Sequence, residues 1–444
     1  MGHSSPDLKV PKPSGEDKGM LCDYGFEVDG ARIKYGRGVL DELGDAAVTF
    51  GIKRAAVFVD PFLRNFEFVQ TALDSLREAR IDGTIYTEIA IEPTDVSFKN
   101  AAAFAVDGKF DGFISIGGGS TIDTAKAADV YSTYPAPFMD YVNAPIGSGK
   151  PIPGPLKPHI ACPTTSGTGS ECTGIAIFDY LEMNAKTGIR ARELRPTLGV
   201  IDPDVTRTLP PMIVACSAFD LLSHALESYT ALPFTRHPRM PKGVARPLSQ
   251  GANPYSDVGC ISALSILGEH IVRAVKDPSD DVARERMIFA AMLAGIAFGN
   301  AGCHLPHAMS YAVSGLVKDF RARDYPTTEA MVPHGMSVIL NAPAVFRFTA
   351  AACPERHLEA AKQLGADVRG ASLGDAGEVL AERLIELMQA TGIPNGLEAV
   401  GYTRADLDAL TDGAFPQKGL IHNAPRETSH EQLHELYARA LQSW

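Results

Sequence analysis

The sequence lacks the long apolar runs that membrane-spanning helices need. No window approaches about 18 uninterrupted apolar residues, so we expect no membrane span. The first 20 residues contain no apolar stretch for a secretory signal and no arginine, which argues against a mitochondrial transit peptide. We expect residues 1–25 to form a flexible lead-in and the protein to be cytoplasmic.

Paired cysteines and an excess of positive charge are also missing. The seven cysteines form no Cys-x-x-Cys pair, which indicates reduced thiols. The formal net charge of -12 argues against nonspecific nucleic-acid binding and against binding to an anionic membrane surface. Small-molecule substrates remain as the expected partners, and we expect a homo-oligomer, a dimer.

The first half of the chain has the pattern of an α/β domain. Short β-rich segments alternate with segments whose apolar residues recur at helical spacing, as in residues 62–79 and 96–106. This alternation predicts a mostly parallel sheet covered by helices on both faces. The predicted strands span residues 54–60, 83–89, 111–117, 159–165 and 198–203.

The pattern changes after Leu209-Pro210-Pro211, where convincing strands stop and helical segments follow. Two irregular, basic stretches at 233–254 and 317–335 are predicted to be loops. We therefore predict an α/β dinucleotide-binding domain over residues 26–207 and an all-helical domain over residues 208–444. The predicted helices of this second domain include residues 213–231, 257–276, 282–299 and 371–390.

Two glycine-rich loops follow predicted strands, in ISIGGGSTIDTAKA (114–127) and CPTTSGTGSE (162–171). Glycines let backbone N–H groups approach a phosphate closely, and a helix N-terminus favours negative charge. Asp60, at a strand end, is placed to bind an adenine-ribose hydroxyl and to repel the 2′-phosphate of NADP. The structural alternatives are a tight turn, a surface loop and a helix cap, and the spaced G-x-G-x-x-G fingerprint is absent.

Histidines and one aspartate in the helical half suggest a metal site. Asp220 and His224 lie one turn apart on an apolar helix, where an ionised carboxylate needs a strong partner. With His307 and His334 they are a plausible ligand set for Fe(II) or Zn(II). Buried core histidines are the alternative, and spacing leaves His304 open as a competitor of His307.

Five motifs together resemble the iron-containing (group III) alcohol dehydrogenase family. They are GGGSTIDTAK, PTTSGTGSE, the Asp-x-x-x-His of DLLSH, the HAM around His307, and the PHG at 333–335. The resemblance covers residues 26–441 and implies a dehydroquinate synthase-like fold, with NAD or NADP between the domains and a metal on Asp220, His224, His307 and His334. The cofactor-binding positions that it implies are Asp60, Gly118, Gly119, Ser120, Asp123, Thr164, Thr165, Thr168, Lys186 and Leu209.

One departure from the family concerns proton transfer. Tyr311 stands where many relatives have a second histidine, so Tyr311 or a water chain is expected to take that role. Stretches such as CHLPHAMSYAVSGLVKDFRARDYP resemble a narrower branch, the hydroxyacid-oxoacid transhydrogenases. That branch oxidises 4-hydroxybutyrate to succinate semialdehyde and reduces 2-oxoglutarate to 2-hydroxyglutarate on a retained nicotinamide cofactor.

Substrates of this kind carry carboxylates, so the site needs cations. The basic loops offer candidates, with solvated surface charges as the alternative. Two other functions stay open: an NAD(P)-dependent alcohol or hydroxyacid dehydrogenase with freely exchanging cofactor, and a metal- or nucleotide-binding sensor without turnover. The arginine candidates are Arg236, Arg239, Arg246, Arg321 and Arg323.

Overall fold

The computed structural model describes residues 22–183 and 185–444. The proposed lead-in, residues 1–25, therefore lies mostly outside the described residues. Attachment to the fold begins before residue 26, because Asp23 N–H donates to the His237 carbonyl at 2.9 Å and the Asp23 carboxylate pairs with Arg246.

A six-stranded sheet, with all neighbouring pairs parallel, forms the centre of the first half. This confirms the predicted sheet, and each predicted strand has a counterpart in it. In spatial order the strands are β1 (Ile33–Tyr35), β8 (Leu198–Ile201), β5 (His159–Pro163), β4 (Gly112–Gly117), β2 (Arg54–Val59) and β3 (Asp82–Tyr86). The apolar side chains of β2 and β4 are buried, as expected for strands covered on both faces.

Two features of this half were not predicted. β1 has only three residues, too few to show a period, and β6 pairs antiparallel with β7 in a separate hairpin. The bounds of the hairpin strands are Ile175–Tyr180 for β6 and Ala185–Arg190 for β7. The helices of this half are α1 (Leu43–Thr49), α2 (Glu67–Glu78), α3 (Asp95–Gly108) and α4 (Gly119–Thr133).

The second half is helical, as predicted. Over residues 202–444 the only β pairing is isolated bridges, such as the one joining Arg321 to Met331 in the second basic loop. The helices are α5 (Pro211–Thr230), α6 (Pro254–Lys276), α7 (Asp281–Ala301), α8 (Leu305–Gly315), α9 (His334–Ile339), α10 (Ala342–Thr349), α11 (Pro354–Gln363), α12 (Ala376–Thr391), α13 (Leu407–Ala414), α14 (Lys418–Ile421) and α15 (His430–Ala440).

Helix α6 is long and apolar enough to cross a membrane by length and composition alone. Helices α7 and α8, which are separated by a sharp bend, are also long and apolar enough when they are taken together. In this structure α6 packs against α5 and α7 and buries Cys260, Leu264 and Leu267 in the core of the helical half. Core helices and membrane spans share this composition, so the prediction that the chain has no span stays a prediction.

A buried arginine holds the junction between the two halves. Between the end of β8 and the start of α5, the chain passes Thr206 and Leu209, whose carbonyl oxygens accept hydrogen bonds from the Arg284 guanidinium at 2.9 and 3.2 Å. Arg284 belongs to α7 and is only 2% exposed. The domain boundary at residue 207/208 stays a prediction, but this contact fixes the connecting segment to the helical half.

Replacing Arg284 by alanine should therefore destabilise the protein. The substitution removes the guanidinium donors of two buried carbonyl groups, of which the Thr206 carbonyl keeps one backbone donor, the Leu209 N–H at 3.2 Å, and it creates a cavity. We therefore expect a loss of about 3 kcal/mol in the free energy of unfolding, measured by urea denaturation. Arg286→Ala is the matched control, because Arg286 lies on the same helix with an exposed side chain. Equal denaturation midpoints for the two variants would contradict the proposed role of Arg284.

Candidate active site

A cavity of about 730 Å³ lies between the carboxyl edge of the parallel sheet and the helical half. The sheet side contributes Gly119 and Ser120, which open α4 directly after β4. The helical side contributes residues of α5, α8 and α9. Open α/β sheets bind ligands outside the carboxyl ends of their strands, so this cavity is the candidate site.

The four predicted metal ligands converge at one end of the cavity. The Asp220 Oδ1 atom lies 3.6, 3.5 and 3.6 Å from the Nε2 atoms of His224, His307 and His334. Neither Asp220 Oδ1 nor His307 Nε2 has a hydrogen-bond partner, although both are buried. Four ligand atoms arranged tetrahedrally about 2.1 Å from one ion would be separated by about 3.4 Å, so the residues fit a divalent metal.

The electrostatics of this cluster also suit a metal. Burial disfavours the charged form of Asp220 and so acts to raise its pKa. The surrounding imidazoles together have the larger effect and hold the pKa below its usual range. Burial lowers the pKa of His224 to about 4, against the opposing charge of Asp220. His224 is therefore neutral at physiological pH, the form in which imidazole binds metals.

Close packing of α9 against α5 explains the glycine of the PHG motif. A side chain at Gly335 would overlap the carbonyl oxygen of Cys216 and would lie 2.9 Å from the Asp220 Cβ atom. Only glycine lets the helix that begins with His334 approach α5 this closely. The motif therefore combines one predicted metal ligand, His334, with the glycine that permits its position.

The structure separates His307 from its competitor His304. The His304 ring bonds to the Thr230 hydroxyl at 3.0 Å through Nε2 and accepts from the Leu305 N–H through Nδ1. Both nitrogens of His304 are thus occupied by the protein, and the side chain is outside the Asp220 cluster. His307 lies in the cluster with its Nε2 free.

Four of the ten implied cofactor positions line the cavity: Gly119, Ser120, Asp123 and Thr168. A Cβ atom at Gly119 would lie 2.6 Å from the Thr168 side chain, so this glycine lets the two glycine-rich loops pack together. A Cβ atom at the neighbouring Gly118 would lie 3.3 Å from the Thr165 side chain, and Thr164 N–H donates to the Gly117 carbonyl.

Other implied cofactor positions are occupied by protein partners. The Asp60 carboxylate accepts from the Phe62 N–H at 2.9 Å in the turn after β2 and is not among the cavity residues. It does not cap a helix either, because α2 begins at Glu67 with Phe66 as its N-cap. Lys186 pairs with Glu92 at 2.8 Å and with Asp179 at 3.0 Å. The Leu209 carbonyl is bound by Arg284, as described above. The cofactor roles of these residues stay predictions.

Asp123 has a structural role that its spacing does not reveal. Its carboxylate accepts from the Ser170 hydroxyl at 2.5 Å and from the Ile177 N–H at 2.9 Å. These bonds tie α4 to the second glycine-rich loop and to the β6–β7 hairpin. Asp123 therefore holds together three segments that surround the cavity.

None of the five arginines predicted to bind substrate is among the cavity residues. Arg246 pairs with Asp23, and Arg239 stacks on the Tyr24 ring at 4.5 Å. These two arginines of the first basic loop therefore contact the N-terminal segment, and the structure gives no support to their assignment as substrate ligands. The remaining three candidates, also outside the cavity lining, are Arg236, Arg321 and Arg323.

Several cavity residues escaped the sequence analysis. Arg190 ends the unpredicted strand β7, and Cys303 lies close enough to His224 and His307 for the three to share an ion. Glu227, which is outside the cavity lining, also escaped the sequence analysis and contacts His307 Nδ1. The sequence does contain a signal for Glu227, because Asp220, His224 and Glu227 follow the i, i+4, i+7 spacing of one helix face. Tyr311, which was predicted, lines the cavity one turn after His307.

Comparison with known proteins identifies close relatives along nearly the whole chain. The hydroxyacid-oxoacid transhydrogenase of Bos taurus, named as mitochondrial, is 49% identical over 431 residues, which cover 97% of this chain and 92% of the relative. The protein of the same name from Homo sapiens is 48% identical, with the same coverage.

The cytoplasmic location predicted from the sequence is wrong by this comparison, because these relatives are named as mitochondrial proteins. The physical reason is that the sequence features used for the prediction report on the redox state of the compartment. Unpaired cysteines and the absence of a secretory signal separate reducing from oxidising compartments, but they do not separate the cytosol from the inside of an organelle.

Family comparisons cover both halves. Residues 30–203 match the sequence model of iron-containing alcohol dehydrogenase, and residues 248–441 match that of the C-terminal part of the Fe-containing alcohol dehydrogenase family. The crystal structure of a 1,3-propanediol oxidoreductase superposes with a TM-score of 0.82 at 26% identity, covering 94% of this chain and 100% of that one. The chain therefore belongs to the iron-containing alcohol dehydrogenase family and is an oxidoreductase of its hydroxyacid-oxoacid transhydrogenase branch.

Proposed function

We propose that this chain transfers a hydride from 4-hydroxybutyrate to 2-oxoglutarate through a nicotinamide cofactor that stays bound. The products are succinate semialdehyde and 2-hydroxyglutarate, so the hydride and the proton lost by the alcohol are both regained by the oxoacid. The observation that carries the proposal is the set of three imidazole Nε2 atoms around Asp220 Oδ1, at one end of a cavity shared with the glycine-rich loop of α4.

Asp220, His224, His307 and His334 are the proposed ligands of one divalent ion, either Fe(II) or Zn(II). When bound, the metal would stabilise negative charge developing on the substrate oxygen, and the nicotinamide, NAD rather than NADP, would carry the hydride. Gly119, Ser120 and Thr168 are the cavity residues proposed to bind the cofactor, with backbone N–H groups at the start of α4 facing its phosphates. A dimer remains our expectation for the assembly.

Glu227 fixes the orientation of one ligand. Its Oε1 atom lies 2.6 Å from His307 Nδ1, and its Oε2 atom accepts the backbone N–H of His304 at 2.7 Å. A proton on Nδ1 therefore points to Glu227, which turns the Nε2 atom of His307 toward Asp220. A carboxylate behind a ligating histidine both fixes the ring and raises its basicity.

Tyr311 is proposed to exchange a hydrogen bond with the substrate oxygen. It follows His307 by one helical turn and lines the same cavity. Burial raises the pKa of its phenol, so the group is protonated at physiological pH. A protonated phenol favours hydrogen-bond donation to the substrate over full release of its proton.

A coupled assay tests the proposed reaction. Purified protein mixed with 4-hydroxybutyrate and 2-oxoglutarate, without added NAD, should form 2-hydroxyglutarate over many turnovers. Product that appears only in proportion to supplied NAD would point instead to a dehydrogenase with exchanging cofactor. No oxidation of 4-hydroxybutyrate under either condition would contradict the proposal as a whole.

The metal assignment predicts different results for two neighbouring histidines. His307→Ala should lose bound metal and at least about 100-fold of the activity, because it removes a ligand. His304→Ala should keep the metal while the free energy of unfolding falls by about 1–3 kcal/mol, since Thr230 and Leu305 lose a partner. Elemental analysis measures the bound metal, and urea denaturation measures the free energy of unfolding. Metal loss in both variants, or a metal-free His224→Ala variant that stays active, would disprove the assignment.

The role of Glu227 predicts a loss of metal affinity. Glu227→Gln keeps the shape of the side chain but replaces the carboxylate behind His307, so the dissociation constant for the metal should rise about 10- to 100-fold. Competition with a chelator measures this constant. Glu171→Gln is a matched control, a buried glutamate outside the cluster, and should leave the affinity unchanged. An equal affinity in Glu227→Gln and wild-type protein would refute the orienting role.

A further inference from the structure

Two cations line the cavity, Arg190 at the end of β7 and Lys418 at the start of α14. Among the described residues, Arg190 makes no ion pair, and its one side-chain hydrogen bond goes to the Ser249 hydroxyl at 3.4 Å. Lys186 lies four residues earlier on β7 and differs from Arg190, because it forms ion pairs with both Glu92 and Asp179. A cation without a counterion in the cavity of an acidic protein indicates an anionic ligand.

Arg190 lines the same cavity as Tyr311 and the Asp220 cluster. β7, which ends at Arg190, packs against α8, the helix that carries His307 and Tyr311. An anion bound by Arg190 would therefore share this cavity with the candidate metal ligands.

The substrates of the proposed function share one anionic feature. In 4-hydroxybutyrate, two methylene groups separate the alcohol carbon from the carboxylate. In 2-oxoglutarate, two methylene groups likewise separate the ketone carbon from the distal carboxylate. A single cation at a fixed distance from the reacting carbon can therefore bind both molecules in turn.

We propose that Arg190 binds this shared distal carboxylate and so selects the acid substrates of both half-reactions. The inference rests on the proposed function. A guanidinium offers two parallel N–H donors that match a carboxylate, and the bond to Ser249 leaves other donors free. Lys418 is the weaker candidate, because its ammonium already lies 2.9 Å from the centre of the Phe415 ring.

The test compares each acid with an analogue in which a methyl group replaces the distal carboxylate. 1-Butanol matches 4-hydroxybutyrate, and 2-oxopentanoate matches 2-oxoglutarate. Each half-reaction is followed separately through the absorbance of the reduced nicotinamide. Arg190→Gln should raise the half-saturating concentrations of both acids about 10- to 100-fold and change those of both analogues by about twofold at most. Arg190→Lys should recover part of the loss.

Arg239→Gln is the control, since this arginine is outside the cavity lining, and it should behave as wild type. Thermal unfolding and the content of bound NAD are measured for every variant. Equal losses for acids and analogues, a loss for only one acid, the expected pattern in Lys418→Met instead, or loss of bound NAD in Arg190→Gln would each overturn the proposal. A wild-type protein that oxidises 4-hydroxybutyrate without transferring hydride to 2-oxoglutarate would contradict only the proposed function, and the 1-butanol comparison would still test Arg190.

Discussion

A buried carboxylate surrounded by imidazoles is the constraint on which the rest of the structure depends. Asp220 is 2% exposed, and its Oδ1 atom has no hydrogen-bond donor. Burying a charge in this way is costly unless a strong partner compensates for the lost hydration. The helical half brings α5, α8 and α9 together around that atom, and a divalent ion is the partner that their donors fit.

The α/β half contributes the glycine-rich start of α4 to the same cavity. The polar residues between the two halves are mostly committed to each other. Glu92, with its positive φ of 54°, pairs with Lys186 and accepts the His334 N–H at 3.2 Å, so it links the hairpin to the metal-ligand helix. Asp123 similarly joins α4 to the hairpin. The uncommitted groups in the cavity are therefore informative, because protein contacts do not explain them.

Prediction from the sequence succeeded where the signal was local. Alternating strand and helix patterns predicted the parallel sheet, and the spacing of Asp220 and His224 predicted that both side chains lie on one helix face. Prediction was weak where position depends on packing between distant segments. The arginines of the basic loops looked suitable for binding carboxylates, but Arg246 pairs with Asp23. The cavity cation Arg190 lies on a hairpin strand that the sequence periodicity did not predict.

The sequence by itself determined the fold class, the family and the residue types of the candidate metal site, because helical and strand periods and short motifs depend on neighbouring residues. Only the tertiary structure decided between His304 and His307, brought Glu227 behind the chosen ring, and placed Arg190 rather than the loop arginines in the cavity. Each of those outcomes depends on which side chains form hydrogen bonds or ion pairs with one another in the folded protein. Such pairings are set by packing between segments far apart in the chain.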